Sequence, residues 1–303
     1  MTAFELALRG KNTGRPPVWF MRQAGRYHSH YQGLKAGHSF MEMCKDPRLA
    51  CEVTMGPIRD FGFDAAILFS DLLFPLEAMG MGLEYSPGPR LGWHLKSRQD
   101  LARLKGGAAS AAHMSFQEEA LRLLTVKLDP SKGLIGFVGG PLTLYSYAVC
   151  GGHSGDLEDA RQGFHDGRYH GFLERLHDLL VANMSLQARG GAKAIAVFDT
   201  SAGEFTPAEY AAFGVPELKR IFADFKSKHP SIPIIYYSRD TGPSEWALLR
   251  GTGIECLGVD WRHDLAKTLK DWTPHFAVQG NIDPEWLHLP AQELEKRLRA
   301  VFA

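Results

Sequence analysis

The sequence lacks most of the features that would assign it to a class at a glance. It has no Cys-x-x-Cys pair; its four cysteines are Cys44, Cys51, Cys150 and Cys256. That spacing argues against a disulfide framework and for reduced, buried thiols. It has no excess of either charge, since 34 basic residues face 34 acidic ones. A neutral chain has no global pull toward nucleic acid or membrane, so any anion site must be built locally. It has no long apolar run, and its first residues, MTAFELALRGKNTG, mix acids with bases. No signal peptide or transmembrane span is read, and a cytoplasmic protein is expected. Linkers, repeats and low-complexity stretches are absent too, so one domain over residues 1–303 is expected. H-E-x-x-H, P-loop and G-x-S-x-G motifs are missing. The first strand–helix junction lacks G-x-G-x-x-G, which weakens a dinucleotide-binding reading.

What is present is a rhythm. Hydrophobic residues make up 45% of the 303, enough for a sizeable core. Six short runs, apolar on both parities, recur along the chain: AAILFSD, LIGFVGGP, AKAIAVFDT, IPIIYYS, IECLGVDW and HFAVQGNID. Strands buried on both faces read this way and belong to parallel sheets. A seventh strand could lie at Val18–Met21. Helices fill the gaps. Asp46-Pro47 predicts a helix start, with a kink at Pro57 and a stop at Gly62. Phe172, Leu176, Leu179, Leu180 and Met184 form one helical face ending at Gly190-Gly191. Thr206-Pro207-Ala208-Glu209 is a capping box. Strand–helix alternation predicts an α/β fold. Polar residues close nearly every run: Asp71, Thr143, Asp199, Ser238, Asp260 and Asn281. A (β/α)8 TIM barrel gathers such ends into one mouth, where its chemistry sits. Six strands, or seven, are fewer than eight. The C-terminal helix ELEKRLRAVFA is followed by no strand, so the barrel is expected to lack its last one.

Several residues stand out chemically. In PVWFMRQAGRY, Arg22 and Arg26 lie beside an apolar run. Guanidinium forks match carboxylates two bonds at a time, although structural salt bridges, or simple exposure of Arg26, fit the residue types equally well. Asp71 sits inside ILFSDLLFP. Hydrocarbon on both sides raises a carboxyl's pKa unless a cation or N–H donors offset it; the milder reading is a cap for the next helix. Gly139-Gly140-Pro141 precedes Tyr145 and Tyr147 and could cradle an anion, or form an ordinary turn. Asp199, Thr200 and Ser201 end a strand and could equally cap a helix. His28 and His30 lack a third ligand nearby, so they read as loop histidines and no metal is expected. Cys44 and Cys51, seven apart, could share one helical face for packing.

These segments together resemble uroporphyrinogen decarboxylases. PVWFMRQAGRY is similar to that family's N-terminal signature and GFVGGPLTLYSY to its second. AAILFSD, VFDTSAG, GVDW and VQGNIDP follow in the family's order, from about residue 10 to about 290. The resemblance implies a distorted TIM barrel, usually a homodimer, that acts without a cofactor. It would remove the four acetate carboxyls of uroporphyrinogen III to give coproporphyrinogen III, a carboxy-lyase step of haem biosynthesis. Carried over by position, Arg22 and Arg26 match the carboxylate-binding and acid-catalysis arginines, and Gln23 joins the substrate-binding set. Asp71 matches the aspartate that meets the pyrrole N–H groups, Tyr147 the active-site tyrosine, Phe198 an apolar wall and Thr200 a small hydroxyl residue.

Two departures bear on activity. His28-Ser29 replaces the usual Leu-Pro after RQAGRY. The family's Asn-Leu-Gly-His-Gly type segment, which carries an active-site histidine, has no counterpart before Ala303. A barrel open at that edge is expected to be less stable and weakly active. Two rivals share the pattern. A zinc- or cobalamin-dependent methyltransferase needs a His–Cys metal site, and no H-x-C occurs. A non-catalytic remnant would bind the tetrapyrrole without converting it.

Overall fold

The computed structural model describes residues 1–152 and 155–301. Helix α1 (Ala3–Leu8) opens with a capping box between Thr2 and Glu5. Helices α2 (Ser29–Lys35), α3 (Phe40–Lys45) and α4 (Pro47–Phe61) follow. Asp46 caps α4 by accepting the N–H groups of Arg48 and Leu49. Gly62 ends it in the left-handed region at φ 68°, where a residue without Cβ pays no steric cost. Pro57 lies inside α4, whose helical span continues past it. Asp46 also ends α3, so Cys44 and Cys51 sit on different helices rather than on one. Both are nonetheless buried in the same core cluster, so packing does account for them.

Strand β1 (Ala65–Ile67) leads to α5 (Phe74–Ala78) and then to a two-strand hairpin, β2 (Glu84–Tyr85) and β3 (Pro89–Arg90). Nothing in the apolar pattern marks that hairpin. After α6 (Ser115–Lys127), β4 (Gly133–Gly139) runs into α7 (Pro141–Cys150), then α8 (Glu158–Asp166) and α9 (Arg168–Gly190). Gly191, at φ 111°, stops α9 where the Gly-Gly pair predicted. Next come β5 (Ala194–Phe198), α10 (Pro207–Glu209) with its Thr206 capping box, α11 (Val215–Lys228) and β6 (Ile234–Tyr237). The chain closes with α12 (Pro243–Leu248), β7 (Cys256–Gly258), α13 (Leu265–Trp272), β8 (Ala277–Gln279) and α14 (Ala291–Val301).

All six apolar runs are therefore strands, and they pair in parallel in the order β1-β4-β5-β6-β7-β8. Ile67 lies opposite Ile135, Val197 opposite Tyr236, and Leu257 opposite Val278. Every crossover is helical, as parallel neighbours require. The two side-chain parities go to two cores. Ile67, Ile135, Phe137, Ala196, Phe198 and Ile235 form the inner cluster. Their alternates, such as Ala66, Leu134, Val197 and Leu257, pack against the helices. This is the layering of an α/β barrel of the TIM type. Helix α1 fills the inner core with Phe4 and Leu8, 2% and 5% exposed. Burying each contributes about 1.5–3 kcal/mol. A Cβ on Gly133 would fall 2.4 Å from the Phe4 ring, so the glycine makes room for that plug.

Strands β1 and β8 are the two edges of the six-stranded ladder. Val18–Met21 is not a strand, but it runs beside β1. Val18 accepts the Asp64 N–H at 2.8 Å and donates its own to the Asp64 carboxylate at 2.7 Å. Arg15 grips the same carboxylate at 2.7 and 2.8 Å and holds its pKa down against the opposing effect of burial. One backbone bond and one side chain thus take the place of a ladder along this edge. At the other edge, all three residues of β8 are only half-buried.

Candidate functional site

The strands carry their polar residues to one end, as barrel geometry demands. Asp71 lies just past β1, where the chain turns toward α5. Its Oδ1 accepts the Leu73 N–H at 2.8 Å, so the capping reading of Asp71 is part of the truth. One N–H does not meet a carboxylate's full acceptor capacity. Burial raises the pKa of Asp71; Tyr85, the Leu73 N–H and the Arg22 charge oppose that shift. Ser70, one residue earlier, is tied back into the helical layer. It accepts from Gln117 Nε2 at 2.9 Å, and Gln117 in turn accepts from Asn183 at 2.6 Å. Gln187 completes this amide chain by pairing with both the N–H and the C=O of Phe137 on β4, at 2.7 and 2.8 Å. The strand end that carries Asp71 is therefore anchored through buried amides to α6, α9 and β4.

Arg22 and Arg26 occupy the loop that follows the Val18–Met21 segment, and both are exposed. Neither guanidinium has a hydrogen-bond or ion-pair partner among the described residues, so the salt-bridge reading fails. Arg22 acts electrostatically on Asp71 and Tyr147, and Arg26 on Tyr31. Gln23 is only 2% exposed. Its Nε2 donates to the Ala65 carbonyl at 3.1 Å and its Oε1 accepts from Phe20 N at 3.2 Å. The amide braces the arginine loop against β1. Of the two histidines read as loop residues, His28 lies in the loop as the N-cap of α2, whereas His30 lies in the first turn of that helix. They bond to Asp60 at 2.7 Å and Glu52 at 3.0 Å on α4, which docks α2 beneath the arginines.

Tyr147 projects from α7 at the same mouth. Burial raises its pKa, with Asp71 adding to the effect and Arg22 opposing it. Tyr145 is different: it is fully buried and packs between Phe164, Tyr169 and Phe172. Phe198 lines the inner core beside Phe137 and Tyr237, with centroids 5.6 and 6.4 Å away. Thr200 sits half-buried beyond the end of β5.

The Gly139-Gly140 turn holds an anion, but an internal one. Asp199 Oδ1 accepts both the N–H and the hydroxyl of Thr143, at 2.7 and 2.9 Å, in the first turn of α7. The Gly140 N–H is taken by the Phe198 carbonyl at 2.9 Å. Asp199 therefore caps α7 from the neighbouring strand rather than starting a helix of its own. A Cβ on Gly140 would fall 2.3 Å from the Asp199 side chain. Full burial pushes the Asp199 carboxyl up to about 6, against the lowering effect of its Thr143, Leu142 and Tyr236 donors.

Sequence reasoning missed one member of the site. Tyr85, on the unforeseen hairpin, interacts with Asp71, Cys44 and Tyr147. The only local hint was an aromatic residue in a glycine- and proline-rich stretch, GLEYSPGPR. Among the described residues, no group of three or more His, Cys, Asp or Glu side chains is placed to hold a metal ion. No helix among them is long and apolar enough to cross a membrane. The arrangement that results has, among the described residues, two unpaired guanidinium groups at a rim, one half-buried carboxylate inside it, and an aromatic wall. It suits a ligand with acidic arms outside and N–H donors at its centre.

Comparison with known proteins points the same way. The family model described as uroporphyrinogen decarboxylase (URO-D) matches residues 1–303. A protein named uroporphyrinogen decarboxylase from Chloroherpeton thalassium is 36% identical over 99% of this chain and 86% of its own length. One of the same name from Rhodococcus jostii is 39% identical over 98% of this chain and 83% of its own. One from Myxococcus xanthus is 37% identical over 97% and 84%. Among solved structures, a methyltransferase from Methanosarcina mazei superposes with a TM-score of 0.75 at 16% identity, over 92% of this chain and 82% of that one. At that identity the likeness concerns the fold.

Proposed function

The chain belongs to the uroporphyrinogen decarboxylase family, and we propose that it converts uroporphyrinogen III to coproporphyrinogen III as a carboxy-lyase, without a cofactor. The observation that carries this reading is the pairing of a half-buried, under-bonded Asp71 with the guanidinium groups of Arg22 and Arg26, which have no hydrogen-bond or ion-pair partner among the described residues.

The chemistry follows from the substrate. Each pyrrole is its own electron sink. A proton added to the α carbon next to the ring carbon that bears the acetate arm makes the ring cationic, with positive charge shared by the arm-bearing carbon. The bond to the carboxyl carbon then breaks, its electron pair neutralises the ring, and carbon dioxide leaves. A second proton on the exocyclic carbon makes the methyl group as the ring proton departs. One proton is consumed for each carbon dioxide released. An ionised Asp71 accepts the pyrrole N–H groups and stabilises the cation where its charge develops. Arg22 and Arg26 hold the carboxylate arms. Arg22, whose charge acts on Asp71, places the proton at the reacting ring, directly or through a substrate carboxyl. Tyr147, Phe198 and Thr200 bound the macrocycle, and Gln23 keeps the arginine loop in place.

Within this reading the protein is a cytoplasmic homodimer of single-domain subunits, as the resemblance implies; light scattering of the purified protein measures the subunit count. The activity is tested by an anaerobic assay with uroporphyrinogen III and chromatographic separation of products. Stepwise appearance of seven-, six-, five- and four-carboxyl products is expected. Binding without any carbon dioxide release would overturn the decarboxylase reading, and stoichiometric zinc in the purified protein would favour a methyltransferase.

A further inference from the structure

Tyr85 is a buried polar group that the scheme above leaves unused. Its phenolic oxygen is shielded from solvent and makes no hydrogen bond of ordinary geometry. A buried hydroxyl without a partner costs about 1–3 kcal/mol, so native structures rarely keep one without a use. The ring is held firmly. It packs on Phe40 with centroids 4.5 Å apart, and Phe40 meets Phe69 at 5.7 Å, two residues before Asp71. The hairpin thus fixes the phenol relative to the strand end that carries the carboxylate.

The groups acting on the carboxylate come from four elements. Arg22 approaches from the N-terminal loop, Tyr85 from the hairpin, Tyr147 from α7 and Cys44 from α3. The buried thiol has its pKa raised, burial first and Asp71 second, and stays neutral. Burial and Asp71 raise the Tyr85 phenol far above its ordinary value, so it remains an O–H donor throughout the working range. Asp71 is the carboxylate that acts on it most strongly.

We propose that Tyr85 is a positioning residue for the decarboxylation: its hydroxyl donates to the Asp71 carboxylate and keeps that group ionised and aimed at the substrate's inner N–H groups. The inference rests on the proposed function, since it gives Tyr85 a task only if Asp71 meets a tetrapyrrole. Physically, burial favours the neutral acid, and a neutral acid stabilises no cation. One fixed donor inside the pocket tips the balance back without consuming the acceptor directions that face the mouth.

The test is Tyr85→Phe, which keeps the ring on Phe40 and removes one oxygen. Removing a donor to the carboxylate raises the pH at which Asp71 ionises. The acid limb of the kcat/KM–pH profile should move to higher pH. On that limb the rate should fall about 3–10-fold, with a loss of about twofold or less on the plateau. In the unliganded protein, the 13C titration of the Asp71 carboxyl, assigned with Asp71→Asn, should shift the same way. Tyr85→Leu, which deletes the ring as well, should add a drop in melting temperature that Tyr85→Phe does not show. An unmoved limb and an unmoved carboxyl titration would overturn the assignment, as would a uniform loss at every pH. If the wild-type protein released no carbon dioxide, the proposed function would fall, while the carboxyl titration would still decide whether Tyr85 governs Asp71.

Discussion

Two carboxylates at the ends of barrel strands, Asp71 and Asp199, differ in everything except their chemistry. Both have a pKa raised chiefly by burial. Asp199 is enclosed by donors from its own protein: the Thr143 N–H and hydroxyl, a Leu142 N–H and, at 3.4 Å, the Tyr236 hydroxyl. It joins β5 to α7, the helix that carries Tyr147. Asp71 has one backbone donor in bonding geometry and faces an arginine and two tyrosines across the mouth. A saturated buried carboxylate is a structural joint, whereas an unsaturated one leaves acceptor capacity for a ligand.

The most direct way to break this contrast is to make the same isosteric change at both places. Asp71→Asn should lower kcat for uroporphyrinogen by about 10²–10³-fold, the scale of removing one preorganised electrostatic partner, with melting temperature nearly unchanged. Retained turnover would show that Asp71 is as structural as Asp199. At Asp199, truncation to alanine should cost about 2–3 kcal/mol by stripping the Thr143 and Leu142 N–H groups of their acceptor, read as a fall in denaturant midpoint. Asp199→Asn should cost far less, because an amide oxygen can still accept those bonds. Its pH dependence has a definite sign. The folded-state pKa, about 6, lies above the ordinary carboxyl value of 3.8. Stability from this group is therefore fully present below the unfolded value and is lost as pH rises through about 6. Asp199→Asn should flatten that part of the stability–pH curve.

Gly140→Ala sharpens the comparison from the other side. The added methyl would meet Asp199 at 2.3 Å, and neither partner is a flexible chain end. A loss of about 1–3 kcal/mol is expected, with activity per folded molecule falling only as far as α7 is displaced. The smallest effect belongs to the rim. Arg26→Lys keeps the charge and removes the planar fork, so KM should rise about 3–10-fold with kcat little changed. A fall in kcat without a change in KM would move Arg26 from binding the arms to the proton transfer itself.

Much of this was legible in the chain. The six apolar runs became the six strands, because a strand buried on both faces must be apolar at both parities. Asp46, Gly62, Thr206 and the Gly190-Gly191 pair bounded helices as expected, since caps depend on residues only a few positions apart. Asp71 was visible from the hydrocarbon around it. The failures share a cause. Val18–Met21 has a strand's composition but forms no ladder, because Asp64 supplies a side chain where a partner strand would supply backbone. The Gly-Gly-Pro turn could have cradled an outside anion or been an ordinary turn, and Asp199 fills it from 56 residues downstream of Thr143. Tyr85 lies in a stretch with no period at all.

Sequence alone determined the alternation of strand and helix, the end of the sheet at which polar groups collect, and the presence of arginines and an acid suited to a polycarboxylate. Those properties follow from the local pattern of burial and from charge, which each residue carries wherever it lands. Tertiary structure decided which carboxylate was saturated, which amide became a brace, and which phenol faced the acid. A buried polar group's role depends on the number and direction of its donors. Here those donors come from strands, helices and loops that are remote in the chain and meet only when the barrel folds.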